Sequence, residues 1–278
     1  MKTERTSLVL CGLPESGKST FLGALAYLIN TKEIDIPIKE KKLASNRDYI
    51  NQLADAWASF RVVDRTRIED FHDIEFELCD DFGDFNLYVP DLSGETWNVD
   101  VCNNRRCPPH LAQHVSDADA ILFFLHSDKL KQPVPLNALP ISEALLEEQK
   151  DYSASTWDAA TQMTTQASAV DLLQLLCRRP LSDSPKRLSI ILSAWDIVLV
   201  EGRSPEEHLK MELPLLYQYL SAGFDFPEWQ VFGISAQGGD LTQDRQTLMQ
   251  IDKPSERIIV NEKGCHDLTI PIRWALKR

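Results

Sequence analysis

No apolar run in this 278-residue chain approaches the roughly 20 residues that cross a bilayer, so no membrane span is expected. Positive charge is in deficit: 29 Lys and Arg stand against 42 Asp and Glu, a formal charge of −13. A surface of that sign repels a phosphate backbone, and no local basic patch offsets it, which excludes general nucleic-acid binding. A disulfide framework is missing as well. Cys11, Cys79, Cys102, Cys107, Cys177 and Cys265 are irregularly spaced in a chain too large to need covalent staples, the pattern of a reducing compartment. Lys2 and Arg5 precede an apolar stretch, but Pro14, Glu15 and Lys18 break it, and no small-residue cleavage site of a secretory leader follows. No internal repeat or linker is evident. These absences leave a cytoplasmic globular chain, and 43% hydrophobic residues suffice for a real core.

Apolar periodicity supplies the elements. Residues 7–12, Ser-Leu-Val-Leu-Cys-Gly, read as a buried strand, and from Ser19 a helix places Phe21, Leu22, Leu25, Leu28 and Ile29 on one stripe. Residues 31–46 read as a loop, and residues 47–60 as a second helix. Residues 73–78 and 85–89 each alternate polar and apolar around the turn sequence Asp80-Asp81-Phe82-Gly83-Asp84, which predicts an antiparallel hairpin with one half-solvated strand. Residues 120–125 and 188–192 are continuous apolar runs of central strands, and residues 229–234 form a further strand. Helices fall at about 167–178 and 206–222, the second interrupted by Pro214. Strands alternating with helices predict an α/β fold of three layers: a mostly parallel sheet with one antiparallel hairpin edge. A single domain over residues 1–278 is expected, with insertions at about 31–70, 126–160 and 237–266, although Arg257–Val260 could pair as a strand.

Gly12-Leu13-Pro14-Glu15-Ser16-Gly17-Lys18-Ser19 fits G-x-x-x-x-G-K-[ST] directly after a predicted strand and at the start of a predicted helix, the context this phosphate-binding loop requires. Its glycines let the chain curl until successive N–H groups face phosphate oxygens, and the helix N-terminus adds positive partial charge there. Gly12, Pro14, Glu15, Ser16, Gly17, Lys18, Ser19 and Thr20 are therefore the expected nucleotide-binding residues. Lys18 would bridge the β- and γ-phosphates, and the Ser19 hydroxyl would bind Mg²⁺. The second hairpin strand runs into Asp91-Leu92-Ser93-Gly94-Glu95. An Asp at a strand's C-terminal end can hold magnesium, and Gly94 can offer its N–H to a γ-phosphate and act as a hinge.

This order of P-loop, hairpin, D-x-x-G and later strands resembles the Ras-like domain of translation-factor-related (TRAFAC) P-loop GTPases, over roughly residues 5–236. Within that class it is similar to a bacterial subgroup, the double-GTPase or GTPase-like proteins of conflict and effector systems. The resemblance implies GTP and GDP as ligands. The class's base motif, [NT]-K-x-D, corresponds to Ser193-Ala194-Trp195-Asp196. Asp196 would pair with guanine N1–H and N2–H, while Ala194 replaces the lysine whose stem covers the base. Trp195 either stacks on the base or packs against the sheet. Ser235-Ala236-Gln237 matches the last motif, S-A-[K/L], whose backbone meets guanine O6.

The resemblance also implies a mechanism. Glu95 stands where a glutamine usually orients the attacking water, and its charge would oppose the γ-phosphate. Slow intrinsic hydrolysis and an activating protein partner are expected. Thr66 is the expected switch threonine on Mg²⁺, flanked by Arg61, Arg65 and Arg67, any of which could serve as a finger in cis. Two other readings share the loop: a nucleotide-bound interaction module with little catalysis, and a small-molecule or nucleotide kinase, hinted at by Arg178-Arg179. Cys102, Cys107, His110 and His114 have residue types that suit zinc, but Pro108-Pro109 stiffens an already tight spacing, and unlinked thiols and imidazoles are the expectation.

Overall fold

A computed structural model describes residues 6–42, 47–61, 73–90, 107, 109–133, 162–179, 181–182, 186–199 and 202–277. Period-two burial builds its centre. In β1 (Thr6–Gly12) the side chains of Leu8 and Leu10 face one core while Val9 and Cys11 face another. In β5 (Ala120–His126), Leu122 and Phe124 join the first core and Ile121, Phe123 and Leu125 the second. Strands apolar on both faces must be covered on both faces, and three layers result.

The other strands are β2 (Lys39–Lys42), β3 (Ile74–Asp80), β4 (Gly83–Val89), β6 (Arg187–Ser193), β7 (Glu228–Ser235) and β8 (Ile259–Val260). One eight-stranded sheet has the order β2-β3-β4-β1-β5-β6-β7-β8. The run from β4 through β7 is parallel. The β3–β4 hairpin is antiparallel, as its alternation predicts, with Glu75, Glu77 and Asn86 on its polar face. One departure from expectation and one pairing that the sequence left open occur at the edges. β2 forms within the stretch expected to be a loop and pairs antiparallel outside β3. Its Lys-Glu-Lys-Lys sequence lacks any apolar periodicity; it is a charged edge, and Lys42 and Lys41 pair across to Glu77 and Asp84. At the far edge, Ile259 and Val260 pair with Ser235 and Ile234, so part of the polar stretch 237–266 extends the sheet.

On one face lie α1 (Lys18–Thr31), α2 (Arg47–Ala58) and α9 (Ile270–Ala275); on the other lie α3 (Pro109–Asp117), α4 (Thr165–Leu176), α5 (Trp195–Val198), α6 (Pro205–Glu212) and α7 (Pro214–Ser221). The short α8 (Arg245–Leu248) sits in the C-terminal stretch. Pro214 divides α6 from α7 because a proline cannot continue a helix from behind, and Ser204 opens α6 with a capping box to Glu207. Helix α2 docks tightly on α1. A Cβ on Gly23 would lie 2.8 Å from the Leu53 carbonyl oxygen and 3.2 Å from the Trp57 Cβ. Gly23→Val therefore separates the two helices by overpacking, an expected loss of about 3 kcal/mol readable as a lower urea midpoint with an unchanged slope.

Candidate functional site

The parallel register of β1, β5 and β6 places the P-loop. Gly12 pairs with Phe124, and a Cβ on Gly12 would fall on the Phe124 backbone. Leu13 N–H donates to the Phe124 carbonyl at 3.2 Å. At the other end of the loop, a Cβ on Gly17 would lie 3.0 Å from that of Ser193 at the close of β6. The coil is wedged between two strand ends. Glu15 at φ 55 and Gly17 at φ 82 adopt left-handed conformations, and for Glu15 this costs about 1–2 kcal/mol. Such turns of alternating hand aim successive amides into one concavity.

The Lys18 ammonium is buried. It donates to the carbonyls of Gly12 at 3.1 Å and Leu13 at 2.6 Å and to Ser16 Oγ at 3.2 Å, while Ser16 Oγ itself donates to Leu13 O at 2.6 Å. Helix α1 starts at Lys18 with Gly17 as its N-cap, no capping side chain and no acid in its first turn. Its orphan N–H groups and positive end are thus left for an anion. Ser19 and Thr20 are partly exposed on that turn. Pro90 is buried where β4 leaves the sheet beside β1; Asp91, Gly94, Glu95 and Thr66 lie outside the described residues.

The base-motif residues gather at the next strand ends. Ala194 takes φ 52, its carbonyl accepts from Ser127 Oγ at 2.9 Å, and Asp196 follows, half-buried, in the first turn of α5. Trp195 is fully buried, donates to the Asn261 carbonyl at 3.0 Å and occupies the space a Cβ on Gly233 would need. Of its two sequence readings, packing is the one that holds. Ser235 and Ala236 are buried at the end of β7, with Ser235 Oγ accepting from Gly238 N–H at 2.9 Å.

Residues that no motif marked complete the surroundings. His126, opposite Ser193 in the sheet, accepts the N–H groups of Asp128 and Lys129 at Nδ1, at 3.1 and 3.0 Å. Two donors aimed at Nδ1 fix the neutral tautomer with its proton on Nε2. Burial and then Lys129 hold its pKa below the usual value, against the opposing charges of Asp128, Asp196 and Glu15. Trp57 donates from Nε1 to the Ala236 carbonyl at 2.8 Å. In the sequence, Trp57 lies within the helix expected over residues 47–60, and His126 opens the stretch 126–160 expected as an insertion.

The remaining expectations separate. Arg178 and Arg179 are exposed after α4, before β6 begins, at the sheet edge opposite the P-loop, so the kinase hint is not at the phosphate site. The His114 ring lies flat on Tyr88 at 3.7 Å, and burial pushes the Cys107 thiol up. No metal-binding group of His, Cys, Asp and Glu forms among the described residues; Cys102 and the His110 side chain lie outside them. Arg61 is exposed; Arg65 and Arg67 lie outside the described residues.

A P-loop on a mostly parallel sheet with helices on both faces defines a P-loop nucleotide-binding domain. The sequence profile of the Double-GTPase 1 family matches residues 9–275. The chain belongs to that family. The match continues past residue 236 through the whole C-terminal stretch. No curated protein matches the chain. Among solved structures it is similar to the GTP-bound GTPase-like domain of Ski7 from S. cerevisiae, at 15% identity and a TM-score of 0.45, over 84% of this chain and 43% of that one. It is also similar to the signal recognition particle receptor SRb-GTP/SRX complex from Chaetomium thermophilum, at 16% identity and a TM-score of 0.38, over 87% and 95%. The chain thus spans less than half of the Ski7 chain it matches.

A pH dependence follows from His126. Because its folded pKa is depressed, the unfolded chain takes up a proton below about pH 6.5 that the folded chain refuses, so stability falls as pH drops through that range. Glu33, Glu207 and Asp240, whose pKa values are also lowered, act only at more acid pH. Between pH 7 and 5.5 the melting temperature of His126→Gln should decline less steeply than that of the wild type, as followed by circular dichroism.

Proposed function

We propose that the chain binds magnesium–GTP in this loop, hydrolyses it slowly and changes its affinity for a protein partner with nucleotide state. The observation that carries the reading is the uncapped N-terminus of α1 behind a coil closed around a buried lysine. Lys18 would exchange the carbonyls of Gly12 and Leu13 for the β- and γ-phosphate oxygens, a move that trades neutral acceptors for charged ones. The loop amides receive the remaining phosphate charge. Ser19, a partly exposed residue on the first turn of α1, is the described residue suited to magnesium, and Asp91 and Thr66 would complete the set. Held there, magnesium would supply charge neutralisation to the phosphates.

Asp196 selects guanine through N1–H and N2–H, and the Ser235–Ala236 backbone meets O6. Gly94 offers its amide to the γ-phosphate. Glu95 orients the water but adds a negative charge beside another, so turnover without a partner is slow and a partner supplies the missing cation. No helix among the described residues is long and apolar enough to cross a membrane, and Cys11, Cys79, Cys107, Cys177 and Cys265 are free thiols, which supports action in the cytoplasm.

Calorimetric titration with GTP, GDP and ATP, with and without magnesium, tests the assignment. GTP and GDP should bind at least 100-fold tighter than ATP, and Lys18→Ala should weaken GTP by a similar factor. Phosphate release by the wild type alone should be on the order of 10⁻³ per second or slower. Equal affinity for ATP and GTP would end the guanine assignment.

A further inference from the structure

The base motif lacks its lysine, yet the loop at Ser235–Gly238 is held more closely than β7 alone requires. Helix α2 supplies the hold. Trp57 is buried, and its Nε1–H donates to the Ala236 carbonyl at 2.8 Å, although 179 residues separate them. A trans peptide points its N–H opposite its C=O, so fixing that carbonyl also fixes the direction of the Gln237 amide. The loop's exit is fixed as well: Gly238 N–H donates to Ser235 Oγ at 2.9 Å, and a Cβ on Gly238, which sits at φ 82, would fall on the Arg257 backbone.

Arg257 locks the tryptophan in turn. Its guanidinium carbon lies 4.5 Å from the Trp57 ring centroid and 4.0 Å from that of Phe60. The side chain is buried; Nε donates to the Pro254 carbonyl at 3.0 Å, and among the described residues Nη1 and Nη2 have no hydrogen-bond partner. Two aromatic faces flank the charge, with the Glu33 carboxylate also acting on it, an arrangement the planar guanidinium suits better than an ammonium. The turn that bears Arg257 is tied to the end of α1, where Glu33 accepts from Ser255 N–H at 3.1 Å and from the Tyr27 hydroxyl.

We infer that Trp57, clamped by Arg257, is a positioning residue for nucleoside recognition: it holds the Ala236–Gln237 peptide in the orientation that meets the base, and so supplies the order that the absent lysine does not. This rests on the assignment of the Ser235–Ala236 loop to the base.

The test separates nucleoside from phosphate binding. Dissociation constants for GTP, ATP and inorganic tripolyphosphate, each with magnesium, are measured by calorimetry on the wild type, Trp57→Phe and Arg257→Met. Trp57→Phe keeps an aromatic ring and loses the donor. The expected result is a weakening of GTP of about tenfold, the worth of one buried hydrogen bond, with tripolyphosphate changed less than twofold. Arg257→Met should produce the same selective loss, which keeps the inference testable should either variant fold poorly. An equal loss for GTP and tripolyphosphate would make Trp57 a general structural residue and overturn the inference; so would no loss at all. If the wild type binds ATP and GTP equally, the guanine assignment falls by itself. A tenfold loss of both nucleotides with tripolyphosphate unchanged would then still sustain the role of Trp57.

Discussion

Gly12 has no side chain because the backbone of Phe124 occupies the space one would need, and Gly17 is pressed in the same way against Ser193. Those two contacts exist because β1, β5 and β6 lie side by side in parallel register. The strands all end at the same edge, so the loop leaving β1 is squeezed between its neighbours' ends and must coil. A coil of that kind turns its amides inward and cannot satisfy them from within. The carbonyls it exposes are instead taken by the Lys18 ammonium. The anion site and the cation that serves it thus arise from one packing constraint, and the left-handed backbone at Glu15 is its cost.

Around that fixed centre the chain wraps two additions. Helix α2 packs on α1 so closely that Gly23 faces the Leu53 carbonyl, and the C-terminal stretch returns through β8 and α9 to the sheet. The two meet at Trp57, Arg257 and the end of β7. Trp195 is held by the same return: its indole N–H reaches the Asn261 carbonyl, and Asn261 in turn pairs with the backbone of Gly233 at both its N–H and C=O. The base-motif strand ends are therefore braced from both faces of the sheet.

Much of this was legible before any fold was in view. Residues 120–125 are apolar without interruption, and a run of that length between polar segments has little choice but a central strand. The alternation in residues 73–78 and 85–89 names the hairpin and its wet face together. The P-loop is legible because its chemistry is local: four residues between Gly12 and Gly17, followed at once by a lysine and a hydroxyl. β2 was not legible, since Lys39–Lys42 carries no apolar residue and pairs only because β3 offers an open edge. Nor was the brace on Ala236. Its donor lies 179 positions earlier, on a helix whose sequence shows only an apolar stripe.

What the sequence determined by itself is what short-range physics can encode: strand and helix identity from hydrophobic period, the anion coil from glycine and lysine spacing, and the sign of the surface from composition. What only the tertiary structure decided is which distant groups share a wall: the burial of Trp195 instead of an exposed stacking face, the neutral tautomer of His126, the docking of the polar C-terminal stretch, and the grip of Trp57 on the end of β7. These depend on contacts between residues far apart in the chain, whose closure is set by the packing of whole layers and leaves no periodic trace in the residues themselves.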